Sequence, residues 1–195
     1  MRTIFKLDVA IGILVIISAV VGWYFSPKSI AYNESFEQDF GGWIADADVP
    51  PDPNNPGSNV EWNVSRTTSA KSGQYSVEFY IDGRQDDGTV WIEKMLSTER
   101  NARVQVNVSF DLYSESESFN VLAAVVGFAG ASNPEVEADL KIIGKANDVS
   151  GWKRYTYIET LETDSRGEVW VALGISVRWE TKMTYNVDDV KVTID

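Results

Sequence analysis

Odd and even positions separate along most of this chain. From Arg103 to Tyr113, Val104, Val106, Val108, Phe110 and Leu112 alternate with Gln105, Asn107, Ser109 and Asp111. That period of two is what a strand with one buried face requires. The same period places Tyr75, Val77, Phe79 and Ile81 inward on another strand, and further strands are expected over 60–65, 89–96 and 152–161. Residues 119–128 are apolar on both faces, as in a strand covered on both sides. Toward the end, Val169, Val171, Leu173, Ile175, Val177 and Trp179 share one face, and Trp170, Ala172, Gly174, Ser176 and Arg178 share the other. A polar turn then leads to a closing strand in which Val190, Val192 and Ile194 fall in register with Asp188. These two segments read as a terminal hairpin.

Polar turns separate the runs, and helical periodicity is absent after residue 25. Eight or nine strands joined this way predict an all-β fold, an antiparallel β-sandwich or jelly roll. Two stretches resist the pattern. Residues 46–59 hold four of the six prolines and read as an irregular surface loop. Its acids do not make an EF-hand, because Pro51 and Gly57 stand where Gly and Glu are needed. Residues 129–149 are the least readable, and within them 134–143 fit either a short helix or an edge strand.

The N-terminus follows a different rule. Residues 9–25 run from Val9 to Phe25 without a charge, preceded by Arg2 and Lys6 and closed by Trp23 and Tyr24. As a helix this run spans roughly 25 Å, the short end of a transmembrane length. The expected order is a cytoplasmic segment 1–8, a transmembrane signal anchor 9–25, a linker 26–33 and an extracytoplasmic jelly-roll domain 34–195. The protein would then sit in the cell membrane as a single-pass chain with its C-terminal domain outside the cytoplasm. A cleaved signal peptide is the other reading, with Ser29-Ile30-Ala31 offering small residues before Tyr32.

Composition narrows the chemistry. The chain has neither Cys nor His, which removes disulfides, thiol catalysis and the commonest general base. A net charge of −12 argues against nucleic acid as a partner. With no paired-acid motif such as Glu-x-Asp-x-x-Glu, and no phosphate-cradling glycine loop, no catalytic residue is assigned and the chain is not expected to be an enzyme. Asn-x-Ser sequons occur at Asn33, Asn63 and Asn107. Asp188, a carboxylate in register with a core stripe, needs either amide donors or a cation.

Four phrases follow one another in order: Ser35 to Trp43, Ser69 to Val77, Gly151 to Thr156 and Tyr185 to Val192. Together they resemble the β-jelly-roll carbohydrate-binding modules of the galactose-binding-domain-like superfamily. The resemblance implies a structural calcium joining the first strand to the last, with Glu37 and Asp188 or Asp189 as its carboxylate ligands. It also implies that Trp43 and Trp152 are structural.

Sugars stack on aromatic faces and need polar groups within reach of their hydroxyls. Trp62 and Trp179 share faces with aliphatic neighbours and read as core. Trp170, Trp91 and Tyr80 remain, with Glu93 and Arg178 on matching faces, and these five are the candidate ligand contacts. Trp170 and Arg178, opposite the aliphatic stripe of their strand, are the best of them, and packing beneath a loop or against a subunit is the competing role for these two. The leading expectation is a membrane-anchored, non-catalytic module that binds a cell-surface glycan or glycoconjugate. The alternative is an accessory subunit of a membrane complex that docks on a protein partner through its sandwich face.

Overall fold

The computed structural model describes residues 29–195; the expected membrane segment 9–25 and the cytoplasmic segment 1–8 lie outside the described residues. Among the described residues no helix is long and apolar enough to cross a membrane. Eleven strands among the described residues form two antiparallel sheets. In chain order they are β1 (Ile30–Glu34), β2 (Ile44–Asp48), β3 (Trp62–Thr67), β4 (Ser76–Asp82), β5 (Thr89–Ser97) and β6 (Arg103–Ser114). They continue with β7 (Ala123–Gly130), β8 (Lys141–Lys145), β9 (Gly151–Glu162), β10 (Glu168–Val177) and β11 (Lys182–Ile194). One sheet has the order β3-β4-β11-β6-β9, with β1 added beside β11; the other is β2-β5-β10-β7-β8.

The period-two stripes become the core between the sheets. Val77, Phe79 and Ile81 of β4 and Val106, Val108 and Phe110 of β6 lose essentially all exposure there. They face Val169, Val171, Leu173 and Ile175 from β10 in one continuous cluster. Burying side chains of this size contributes about 1.5–3 kcal/mol each, which makes this layer the main source of stability.

Several expectations need correcting. The terminal hairpin does not form: β10 pairs with β5 and β7, whereas β11 pairs with β4, β6 and β1 in the other sheet. The link at 178–181 therefore crosses the sandwich. Asp188 is also off the core stripe. Met183, Tyr185 and Val187 point inward, and so do Val190, Val192 and Ile194, because the register shifts between Asp188 and Lys191. Asp189 stands at φ +51°, the left-handed conformation that such a bulge uses. One extra residue moves Asp188 to the outer face. Similarly, β1 begins at Ile30, inside the expected linker, because residues 30–34 pair with 190–194. Asp46 to Asp48 extend β2 from the proline-rich loop, and the strand expected from 119 begins at Ala123.

Candidate functional site

The five expected ligand contacts do not form one site. Trp91, Glu93 and Trp170 lie on the outer face of the five-stranded sheet, where Glu93 is paired with Ala172, and Trp91 with Gly174. Trp91 and Glu93 are buried, and the indole Nε1 donates to Glu93 Oε2 at 2.7 Å. Tyr80 lies on the other sheet, paired with Asn63 and Thr184. Trp170 is half-buried beside Met95 and Gly130. Arg178 lies eight residues further along, roughly 26 Å at strand rise. One sugar ring cannot touch both.

The connection between β7 and β8 is what buries Trp91. Leu140 packs with Trp91, Val126 and Ala172 in a second apolar cluster, outside the main core. Glu137 fastens the same segment: its backbone N–H donates to Asp48 Oδ2 at 2.9 Å, and its carboxylate accepts from Thr89 Oγ1 at 2.6 Å and Arg178 Nη2 at 3.0 Å. Burial raises the Glu137 carboxyl, but the bonds from Thr89 and Arg178 outweigh it and hold it below its ordinary value. Among the described residues no cation pairs with Glu93, so burial pushes its carboxyl up despite the Trp91 bond. Trp91 and Glu93 are therefore packing and hydrogen-bonding partners beneath residues 131–140.

An open concave site lies at the far end of this sheet. A groove of about 670 Å³ is lined by Asn120, Val121, Ile142, Lys145, Arg178 and Trp179. Trp179, expected in the core, is 51% exposed, and Ile142 is 64% exposed. The alternation fails because β10 ends at Val177. The backbone N–H of Arg178 turns to the carbonyl of Leu122 at 2.9 Å, and Thr181 N–H closes on the Trp179 carbonyl at 2.7 Å. That tight bend swings the indole outward. The groove thus offers an aromatic face, an amide and two cations. Arg178 is held by Glu137, and Lys145 by Asp148 at 3.2 Å. Nothing in the period-two pattern marks where a strand stops, so parity alone assigns Trp179 to the core.

The three expected calcium ligands have other partners. Glu37 Oε1 accepts from the backbone N–H of Gln74 and of Tyr75, each at 3.0 Å. Asp188 Oδ2 accepts from Lys71 N–H at 2.9 Å and Ser72 N–H at 3.0 Å, while Oδ1 accepts from Asp189 N–H at 2.7 Å. Asp189 Oδ1 accepts from the Ser72 hydroxyl at 2.7 Å. Calcium requires six to eight oxygens pointed at one centre. Here amide hydrogens from the 70–75 turn point at the carboxylates, and the positive charge comes from side chains. Lys71 Nζ lies 2.8 Å from Asp111, which also holds Arg154 at 2.7 Å. Arg66 donates to the carbonyls of Phe36 at 2.8 Å and Glu37 at 2.9 Å, with its guanidinium 4.1 Å from the centre of the Tyr75 ring. Among the described residues no group of three acids is placed to hold a metal ion. This donor set does not fit a calcium cage, and the capping role for Asp188 describes what it does.

Neither a protein-family model nor a curated protein matches the sequence. Solved structures share the fold. A structure that describes the promiscuous specificity of carbohydrate-binding modules from the β-sandwich superfamily superposes with a TM-score of 0.50 at 14% identity, covering 85% of this chain and 74% of that one. The K3 cleaved adhesin domain of Lys-gingipain from Porphyromonas gingivalis W83 gives 0.50 at 13% identity, covering 85% and 99%. A family 61 carbohydrate-binding module in complex with β-1,4-galactotriose gives 0.48 at 13% identity, covering 81% and 92%. The chain is an antiparallel two-sheet jelly roll of the kind found in carbohydrate-binding modules. At these identities the likeness is one of fold.

Proposed function

We propose that this domain is a non-catalytic glycan-binding module that takes its ligand in the groove at Trp179, and that residues 9–25 hold it at the membrane with the sandwich on the extracytoplasmic side. The observation that carries this reading is an indole half open to solvent on the wall of a concave site whose rim holds Asn120, Lys145 and Arg178. An aromatic face flanked by amide and cationic donors matches a sugar ring with its apolar face and peripheral hydroxyls. The fold is compatible with such a role without requiring it.

A glycan array probed with the wild-type chain and with Trp179→Ala tests the proposal. Retention of one glycan class that is lost in the variant supports it; equal retention by both removes the groove as the site.

A second reading rests on a different residue. Phe119, next to the lining residues Asn120 and Val121, is 98% exposed. An uncovered Phe beside an apolar groove suits a protein partner as well as a sugar, which favours the accessory-subunit role. Stoichiometric co-purification of one protein from native membranes, abolished by Phe119→Ser, without glycan retention, supports this second reading over the first.

A further inference from the structure

The sheet edges in this domain differ sharply in length. β1, β2 and β8 have five residues each and β3 has six. β2 carries Asp46 and Asp48 and runs toward Pro50 and Pro51, and the pairing of β8 is interrupted by a register shift. Short length, charge, proline and bulges are the devices that keep an edge from pairing with another chain. β9 has none of the structural ones. It runs twelve residues, contains no proline, and pairs with β6 at every position from Gly151 to Glu162 without a shift. Among the described residues no strand covers its other side, and its outer face is exposed at Arg154, Thr156, Ile158, Thr160 and Glu162.

That outer row is self-complementary. In an antiparallel pair, residues directly opposite share a face, so a two-fold axis between two copies of β9 passes through a residue of either parity. An axis at Tyr157 or Glu159 would set Ile158 against Thr156 or Thr160 and Glu162 against Trp152 or Thr156. With the axis at Ile158, the row matches along its length. Ile158 meets the partner's Ile158, Thr156 meets the partner's Thr160, and Arg154 meets the partner's Glu162. Ile158 is 54% exposed, an apolar side chain at the centre of an otherwise polar row. Glu162 has no ion-pair or hydrogen-bond partner among the described residues. Arg154 uses Nη1 on Asp111 and Nη2 on Ser109 Oγ at 3.1 Å and on the Asp189 carbonyl at 3.4 Å, which leaves its Nε unengaged. Moving the axis by one same-face step to Thr156 sets Arg154 against Ile158 and Trp152 against Thr160, which loses both the apolar and the charged match.

We propose that β9 is a homodimer interface: two copies of this chain join their six-stranded sheets edge to edge, antiparallel, about an axis at Ile158. The occupant is a second copy because the charge and apolar pattern complements itself at a single register, and an axis through Ile158 satisfies every outward position from Arg154 to Glu162. This stands independently of what the Trp179 groove binds.

The chain has no cysteine, so a single introduced thiol reports the register without background. Opposed residues in an antiparallel pair have Cα atoms about 4.5–5.5 Å apart, within disulfide range. The experiment is oxidation of the full-length Ile158→Cys chain in its native membranes, with Thr156→Cys as control. At Thr156 the two copies are separated by four residues along the strand, roughly 13 Å. The expected result is about tenfold more disulfide-linked dimer for Ile158→Cys than for the control. Sedimentation of the detergent-solubilised wild-type chain should give a dimer mass. Ile158→Asp, which sets like charges on the axis, should give a monomer with unchanged far-UV circular dichroism. Equal cross-linking at both positions, stronger linking at Thr156, or a monomer mass for the wild type would each overturn the proposal.

Discussion

Asp188 Oδ2 accepts the backbone N–H of Lys71 at 2.9 Å, across 117 positions of sequence. The bulge at Asp189 makes this contact possible. Without the extra residue Asp188 would face a solid layer of aliphatic side chains, and the 70–75 turn would lose its anchor on the closing strand. Removing the carboxylate leaves the amides of Lys71, Ser72 and Asp189 without acceptors. Asp188→Ala is therefore expected to lower the unfolding free energy by roughly 3–5 kcal/mol. Asp188→Asn keeps an acceptor oxygen and sheds the cost of a buried charge, so its loss should be about 1 kcal/mol. Urea denaturation of the two variants checks the ranking.

The same contacts predict indifference to calcium. Glu37 and Asp188 already neutralise amide dipoles, and Arg66 supplies the cation over the Phe36 and Glu37 carbonyls. Phe36 itself sits at φ +58°, a left-handed conformation that costs an L-residue free energy and here turns its carbonyl toward Arg66. The melting temperature should be equal in calcium and in EGTA. Arg66→Met should cost roughly 2 kcal/mol, through two lost charged hydrogen bonds and the stacking on Tyr75. A calcium-dependent rise in melting temperature would show that the carboxylates reorganise around a metal.

Two carboxylates on one sheet face respond oppositely to pH. Burial holds Glu93 above its ordinary value, so its contribution is present in acid and is lost as pH rises through the folded value. Glu137 is held below its ordinary value, so its contribution is present at neutral pH and is lost on acidification. Glu93→Gln stays neutral and can still accept from Trp91 Nε1. Its melting temperature should exceed that of the wild type at pH 8, and the gap should close toward pH 4. An identical gap at both pH values would place the effect outside Glu93 ionisation.

How far the sequence revealed this molecule differs from residue to residue, for physical reasons. The β6 and β10 stripes were legible because one-sided burial enforces a period of two. The Asp188 bulge was not, because a left-handed Asp189 looks like any other aspartate in the sequence. Pairing partners were also hidden. β10 and β11 follow one another and still belong to different sheets, since pairing depends on all eleven strands and not on the turn between two. The site residues failed for a related reason. Trp91 points outward from its sheet as its parity requires, but Leu140 and Glu137 arrive from distant sequence, the Glu137–Thr89 bond spanning 48 positions, to cover it. Trp179 keeps the parity of the core and escapes it because the strand has ended two residues earlier.

The most direct test of the account is isothermal titration of the glycan class retained on the array against the wild type, Trp179→Ala and Trp170→Ala. The groove at Trp179 predicts saturable binding by the wild type and by Trp170→Ala, with at least about a tenfold loss for Trp179→Ala, the size expected when a stacked aromatic is removed. Binding that survives in Trp179→Ala and disappears in Trp170→Ala would contradict it, and would move the ligand to the opposite end of β10.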